Sequence, residues 1–249
     1  VQFPPGYAYK FNYDGFAGYL MGEFVPSAKL RIIGGVRYQT IEMALDGFSR
    51  PTLVNPEGKT LDSISIANGT FFTDDFLPAL NLIYRPTENM NVRLGYARTI
   101  AIPSFREVAV FVNNNFRGDY RTAGNPKTRR SVIDNIDLRY EWSPKPGAIF
   151  SIGGFYKEIL GPIELVFQSD VLTEFVNLRT GTDSGLVAPI NPIIPKPQED
   201  EFAEELGDLA VALAYGVEFE VRTDFGFIGK GWDKLRLWGN YALIRTEVP

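Results

Sequence analysis

At 249 residues and 45% hydrophobic content, the chain is long enough to bury one large all-β domain or two smaller ones, and its net charge of −5 gives no reason to expect a nucleic-acid partner. Cysteine and histidine are both absent, which excludes a disulfide framework, thiolate metal sites and the commonest zinc ligand and proton shuttle. No apolar stretch approaches the ~20 residues that a membrane-spanning helix needs, so a helical span is excluded as well.

Runs of alternating apolar and polar residues predict eight β-strands, at about 15–25, 29–43, 75–84, 90–101, 131–142, 148–160, 210–223 and 234–247. Short turns near 26–28, 86–89, 144–147 and 226–233 join these runs in pairs. Between the pairs lie long polar segments, roughly 46–74, 102–130 and 160–209, and residues 174–178 in the last of them predict a short extra strand. Because the turns are short, we expect an antiparallel meander in which sequence neighbours pair, without parallel pairs.

The period of two divides the strand side chains between an apolar face and a polar face. The apolar face carries Ile32, Val36, Tyr38, Leu138, Tyr140, Val217, Phe219, Leu235, Leu237 and Tyr241. The polar face carries Arg37, Arg139, Glu141, Glu218, Glu220, Arg236 and Asn240. A register error of one residue would exchange the two sets completely, so the assignment is sharp.

Alternation alone fits a soluble sandwich and a transmembrane barrel equally, but four further features favour the barrel. The polar face carries dense charges of both signs, and strands of ~10 residues are long for a sandwich. Aromatic residues cluster beside the short turns, as an interfacial girdle requires: Phe24, Tyr84, Tyr140, Trp142 and Phe150. Short turns at one end and long loops at the other are typical of outer-membrane barrels. We therefore expect the apolar face to contact lipid and the polar face to line the interior.

Six motifs follow one another in a fixed order: YARTIAIPSFRE at 96–107, GNP at 124–126, DNIDLRYE at 134–141, FYK at 155–157 with PIE at 162–164, GVEFE at 216–220, and GNYALI at 239–244. From about Ala17 onward this order resembles the TonB-dependent outer-membrane receptors of Gram-negative bacteria, most closely those with a carboxypeptidase-regulatory-like domain ahead of the plug. The resemblance implies a 22-stranded barrel, a plug in its lumen, and energy supplied by a TonB-type inner-membrane complex.

Compared with that family pattern, the chain shows no plug, no energy-coupling box and no final strands with an aromatic carboxy-terminus. We therefore expect residues 1–249 to form a partial outer-membrane β-barrel of about eight strands with two open edges. The plug domain and the final strands would be absent, and contact with the energy-coupling complex would be made by regions outside this chain.

The segment 105–130 is the strongest candidate for ligand binding. Its arginines Arg106, Arg117, Arg121, Arg129 and Arg130 alternate with Phe111, Phe116 and Tyr120. Guanidinium groups, amides and rings over a pore mouth suit an anionic or polar ligand. The residues predicted to contact it are Arg106, Asn113, Asn114, Asn115, Arg117, Tyr120 and Arg121. The alternative is a structured loop held by its own hydrogen bonds.

Other acidic residues offer weaker candidates. Glu218 and Glu220 lie ~7 Å apart on one strand face, a spacing open to glycosidase chemistry, but charges lining a lumen wall are commoner. Asp74 and Asp75 suggest a turn or loop contact. The acidic segment 199–208 lacks the regular ligand spacing of a calcium site, so a solvated loop is favoured. We predict no catalytic site, no metal site and no cofactor.

The function predicted from these observations is active uptake of a scarce nutrient, such as a metal chelate, a glycan or a peptide, across the outer membrane. The expected partners are outer-membrane lipid, the nutrient and the TonB-type complex. Two alternatives remain open: a small closed outer-membrane barrel with an adhesive or structural role, and a soluble β-rich binding or glycan-cleaving domain.

Overall fold

The computed structural model describes residues 7–49, 52–54, 60–62, 65–109, 112–114, 120–125, 128–167, 185–190, 209–226, 228–229 and 231–248. In chain order its elements are β1 Tyr7–Ser27, β2 Leu30–Ser49, β3 Thr52–Val54, β4 Thr60–Asp62, β5 Ser65–Tyr84, β6 Met90–Ala101, α1 Phe105–Val108, β7 Val112–Asn114, β8 Tyr120–Ala123, β9 Ser131–Trp142, β10 Ile149–Leu160, β11 Glu164–Phe167, β12 Gly185–Ile190, β13 Val211–Asp224 and β14 Arg236–Glu247. A 3₁₀ turn at Trp232–Lys234 precedes β14.

Eight strands form the main sheet, in the order β1-β2-β5-β6-β9-β10-β13-β14, and every neighbouring pair is antiparallel. This confirms the predicted meander, its eight strands and its four short turns. The short turns lie at the lower end of the sheet, and the long segments lie at its upper end. The strand order has two ends, β1 and β14, so these eight strands do not close a small barrel. The extra strand predicted at 174–178 lies outside the described residues.

Register places the apolar residues in continuous rows across the sheet. One row runs through all eight strands and contains no polar side chain: Phe24, Ile32, Leu82, Leu94, Leu138, Gly154, Val217 and Leu243. On this face Leu138 is 53% exposed and Tyr241 is 61% exposed. Within the described residues no second sheet covers these side chains, as a sandwich would require.

Three strands are much longer than the alternation predicted. β1, β2 and β5 extend the sheet upward, and in β2 the alternation continues there with its phase reversed. Ile41, Met43 and Leu45 are buried, at 5%, 3% and 4% exposure, and they lie on the polar face, whereas Glu42 on the opposite face is exposed. From Thr40 to Ser49 the extension of β2 rises ~30 Å. We call the part of β1, β2 and β5 above Thr40 and its strand partners the extension.

The long segments hold further strands that the sequence did not predict. β11, β12, β8 and β7 form a four-stranded sheet in that order, and β3 pairs with β4. Within the four-stranded sheet β12 and β8 are parallel over three residues, Gly185–Val187 against Tyr120–Thr122. The expectation that parallel pairs would be absent is therefore correct for the main sheet and wrong for the loops. The described helices are short: none offers the length of apolar sequence that a helical membrane crossing requires.

Candidate functional site on the polar face and its loops

A charged network covers the lower part of the polar face across four strands. Its centre is the Arg139 guanidinium, which donates to Glu141 at 3.0 Å, to Ser151 Oγ at 2.9 Å and to Glu220. Glu141 also pairs with Arg93 at 3.2 Å and accepts from Asn91 at 3.0 Å. The side chains of Arg139 and Glu220 are about one-third exposed, at 35% and 32%, so water reaches the network and each contact contributes modestly. The network cross-links β6, β9, β10 and β13.

Above this network the polar face holds a recess of about 490 Å³. Phe155 and the charged side chains of Asp137, Lys157 and Glu218 line it. Within the described part of the chain, none of these three charged groups has an ion-pair partner. A recess with charges of both signs, open to solvent, is suited to polar contact with a ligand or with another protein domain. Glu218 and Glu220, predicted as wall charges, therefore differ: Glu220 is paired and Glu218 is not.

The main sheet divides above this level, between β5 and β6. Their pairing ends at Ala79 and Ala97, although β5 stays paired with β2 as far as Ser65. Pro78 lies at the point of division and has no N–H to donate to a ladder. The division lets the extension continue upward separately from β6 and its neighbours.

A buried ion pair bridges this division. Arg130, the residue before β9, donates its Nε–H to Asp75 Oδ1 of β5 at 2.6 Å, and Thr73 Oγ1 donates to Asp75 Oδ2 at 2.5 Å. Asp75 is 6% exposed and Thr73 is 4% exposed. The loop contact suggested for this residue from sequence is present, but Asp75 lies inside a strand and not in a turn. Thr73 lies two residues before Asp75, which in a strand places both side chains on one face. This spacing is the sequence feature that could have identified the site.

Within the segment 102–130, Gly124 and Asn125 lie against the end of α1. Glu107 accepts a hydrogen bond from the Ser104 N–H at 2.6 Å, which fixes the start of the helix. At its other end the Gly124 N–H donates to Ala109 O at 3.1 Å, and the Asn125 N–H donates to Glu107 O at 2.6 Å. Gly124 and Asn125 of the GNP motif thus contact the end of α1.

Apolar packing holds the same segment against the extension. The rings of Phe11 in β1 and Phe105 in α1 lie 3.8 Å apart between centroids. Val108 and Ala109 are buried, as are the inward side chains of β2 described above. The described core of the molecule is therefore concentrated at the upper end, where the loop covers the extension.

The structure brings several of the predicted ligand-binding residues onto one framework. Arg106 lies on α1 and is exposed, Asn113 and Asn114 lie in β7, and Tyr120 and Arg121 lie in β8. Asn115 and Arg117 lie outside the described residues. Backbone pairing places Asn114 opposite Arg121, and β12 from the segment 160–209 pairs on the other side of β8. The two long loops therefore share one sheet, and ligand binding by these residues stays a prediction.

The remaining sites weighed from sequence have no further support. The acidic segment 199–208 lies outside the described residues. Among the residues that are described, no three or more Asp or Glu side chains are grouped so that they could hold a metal ion.

Comparison with known proteins gives a clear family match. A family model described as TonB dependent receptor-like, beta-barrel matches residues 2–249. No curated protein matches the chain by sequence. Among solved structures, the siderophore receptor PirA from Pseudomonas aeruginosa is similar with a TM-score of 0.56 and 14% identity, over 96% of this chain and 44% of that one.

Two further receptors show the same fold. The hemophore receptor HasR from Serratia marcescens, solved with its hemophore HasA and heme, has a TM-score of 0.62 and 12% identity, over 85% of this chain and 32% of that one. The ferric yersiniabactin uptake receptor FyuA from Yersinia pestis has a TM-score of 0.55 and 14% identity, over 96% of this chain and 28% of that one. This chain thus spans less than half the length of each receptor.

The family match extends over nearly the whole chain, and the solved receptors share its antiparallel meander as part of a large barrel. Receptors of this kind are transporters and not enzymes, which confirms the expectation of a non-enzymatic role. The carboxypeptidase-regulatory-like subgroup stays a prediction. The chain belongs to the family of TonB-dependent receptor β-barrels.

Proposed function

We propose that this chain forms part of the wall and loops of an outer-membrane receptor that takes up a scarce nutrient in a Gram-negative bacterium. One observation carries the proposal: eight register-locked strands separate a continuous apolar face from a charged face, and no second sheet covers the apolar face among the described residues. An exposed apolar face of this size requires lipid, because it would otherwise drive aggregation in water.

The apolar face has the height that an outer membrane requires. At its lower end the rings of Trp142 and Phe150 lie 5.6 Å apart between centroids. At its upper end Tyr96 donates its hydroxyl to Asp134 at 2.7 Å, and Arg98 pairs with the same carboxylate at 2.8 Å. From Asp134 to Trp142 the strand is ~27 Å long, which at a tilt of ~35–45° gives a height of ~20 Å, of the same order as the ~25 Å of an outer-membrane apolar band. Aromatic rings bound the band at its lower end, and a tyrosine with charged groups bounds it at its upper end.

The proposed cargo is a metal chelate, a glycan or a peptide. A metal chelate is the first class to test, because the similar solved receptors include a siderophore receptor, a ferric yersiniabactin uptake receptor and a hemophore receptor. Disruption of the gene, followed by growth with ferric chelates, heme, glycans or peptides as the limiting nutrient, identifies the class. Energy would come from a TonB-type inner-membrane complex through parts of the receptor outside residues 1–249.

Spin labels should distinguish the two faces of the sheet in the membrane. These 249 residues contain no cysteine, so single cysteines give specific labelling. In full-length receptor reconstituted into bilayers, labels at Leu138→Cys and Val217→Cys should collide readily with oxygen, which concentrates in lipid. Labels at the adjacent Asp137→Cys and Glu218→Cys, on the polar face, should not. Equal oxygen accessibility at all four positions would contradict the membrane placement.

Shortening the segment 113–121 should weaken cargo binding without unfolding the strands. This loop contributes little to pairing in the main sheet. Loss of one or two charge-assisted contacts predicts a roughly tenfold to hundredfold drop in affinity, measured by isothermal titration with the cargo identified by growth. A deletion of 228–231, in a turn at the opposite end of the sheet, is the control and should bind normally. Unchanged affinity in the 113–121 deletion would exclude a binding role for this loop.

A further inference from the structure

The apolar face is interrupted by a groove where one strand lacks a side chain. Gly154 of β10 lies in a cross-strand row between Leu138 of β9 and Val217 of β13. The groove above it has a volume of about 700 Å³, and its walls include Ile136, Tyr156 and Leu243. It runs along the strands within the apolar band, so its surroundings are the hydrocarbon of the membrane.

The upper end of this groove is polar and carries charges of both signs: Arg245, Glu247 and Glu158, to which the Tyr156 hydroxyl donates at 3.5 Å. Tyr156, Tyr215 and Arg245 occupy one row across β10, β13 and β14, directly above the row of Gly154. Arg245 is 73% exposed, and its Nε pairs with Glu247 at 3.2 Å. Tyr215 donates its hydroxyl to the same carboxylate at 2.9 Å. The terminal nitrogens of Arg245 have no partner within the described residues, and a planar guanidinium is well suited to phosphate.

We propose that this groove holds an acyl chain of an anionic, phosphate-bearing lipid whose phosphate contacts Arg245; the proposal rests on the membrane placement proposed above. The apolar walls fit a hydrocarbon chain, and the cation at one end fits the charge of the headgroup. The acyl chain would be stabilised in the groove by van der Waals contact with the walls. The hydrophobic effect adds little, because a lipid tail is already in an apolar medium. Selection among lipids would come from the ionic contact, which is strengthened at the low-dielectric boundary of the membrane.

A second groove on the same face provides an internal comparison. It lies over Gly239, has a volume of about 540 Å³, and is lined by the rings of Trp142, Phe150, Phe219 and Tyr241. No lysine or arginine lines this groove in the described structure. It can accommodate a hydrocarbon chain near the lower end of the band, but it has no cationic side chain in the described structure that would select an anionic headgroup. Of these two grooves, only the Gly154 groove should therefore show charge selectivity.

The test uses the full-length receptor in mild detergent with equimolar phosphatidylglycerol and phosphatidylcholine, and native mass spectrometry counts the bound lipids. The wild-type receptor should prefer phosphatidylglycerol by roughly fivefold to tenfold. Gly154→Leu fills the groove and should abolish the preferentially bound lipid, whereas Gly153→Ala, on the polar face, should not. Gly239→Leu should lower binding of both lipids and leave the preference unchanged.

Arg245→Gln tests the ionic contact separately, because the residue is exposed and its loss leaves strand pairing intact. It should remove the preference for phosphatidylglycerol. The Gly154→Leu side chain starts in open space, since an added Cβ meets only Gly216 O, at 3.7 Å. Unchanged preference in either variant would overturn the proposal. If the spin labels place the apolar face in lipid but both variants keep the preference for phosphatidylglycerol, only the groove proposal fails. If the spin labels do not place the apolar face in lipid, the membrane placement fails, and the groove proposal fails with it.

Discussion

Asp75→Ala should loosen the attachment between the segment 102–130 and the extension. Removal of the carboxylate leaves the Arg130 guanidinium, which is 21% exposed, without its partner and leaves the Thr73 hydroxyl without its acceptor. Breaking a largely buried pair in this way costs about 3 kcal/mol or more. Hydrogen–deuterium exchange of the full-length receptor should show faster exchange in α1 and around 128–130, with little change in β9 and β10 below.

An exposed ion pair on the same protein is the control for Asp75. Arg31 and Glu23 pair at 2.7 Å, but their side chains are 47% and 42% exposed. Glu23→Ala should therefore change the stability little and leave exchange in the loop unchanged, because solvent screens the pair. Equal exchange in the Asp75→Ala variant and the wild type would mean that apolar packing alone holds the segment.

Gly124→Ala should displace Gly124 and Asn125 from α1. A Cβ at this position would overlap the carbonyl oxygen of Ala109 and also approach the backbone of Arg106. Because both obstacles are backbone atoms, they cannot move aside as a flexible side chain would. Loss of the hydrogen bonds from Gly124 and Asn125 to the end of α1, together with the overlap, should cost about 2–4 kcal/mol locally.

Limited proteolysis measures this displacement. Cleavage between 102 and 130 should be faster in the Gly124→Ala receptor, while the main sheet keeps its resistance to heat and detergent. Gly18→Ala is the matched control, because a Cβ there meets no atom within 4 Å. If the two variants are cleaved at the same rate, contact between the GNP motif and α1 does not determine the conformation of the loop.

The main sheet was predictable because local features specify it. A strand with one apolar face has an apolar residue at every second position, which is visible in the sequence. A short turn permits a strand to pair only with the strand that precedes it. The stretch Leu138 to Glu141 illustrates this: its alternation predicted the face of each of the four residues, and the register places each one in a row with residues of the same predicted face. The orientation set, from Ile32 to Tyr241, follows from the same period.

The upper half of the molecule was less predictable because its pairings are long-range. Leu186 opposes Arg121 across a sequence separation of more than sixty residues, and nothing local indicates that contact. Asp75 and Arg130 are likewise distant in sequence, so the aspartate resembled an ordinary loop residue. The positions of the predicted ligand-binding residues depend on these long-range pairings. The sequence therefore showed which residue types are present but not how they are arranged in space. The upper part of β2 was missed because its apolar period reverses phase near Thr40.

That phase reversal limits how the extension can change its length. Above Thr40 the buried residues are the odd ones, Ile41, Met43 and Leu45, whereas below it the even residues carry the apolar face. Insertion of one residue at the boundary would turn Glu42 toward the core and Ile41 toward solvent along the whole upper strand. Insertion of two residues would restore every face. Insertions and deletions in this strand among relatives should therefore contain an even number of residues. Equal changes in β1 and β5 should accompany them, so that the extension lengthens or shortens by two residues at a time.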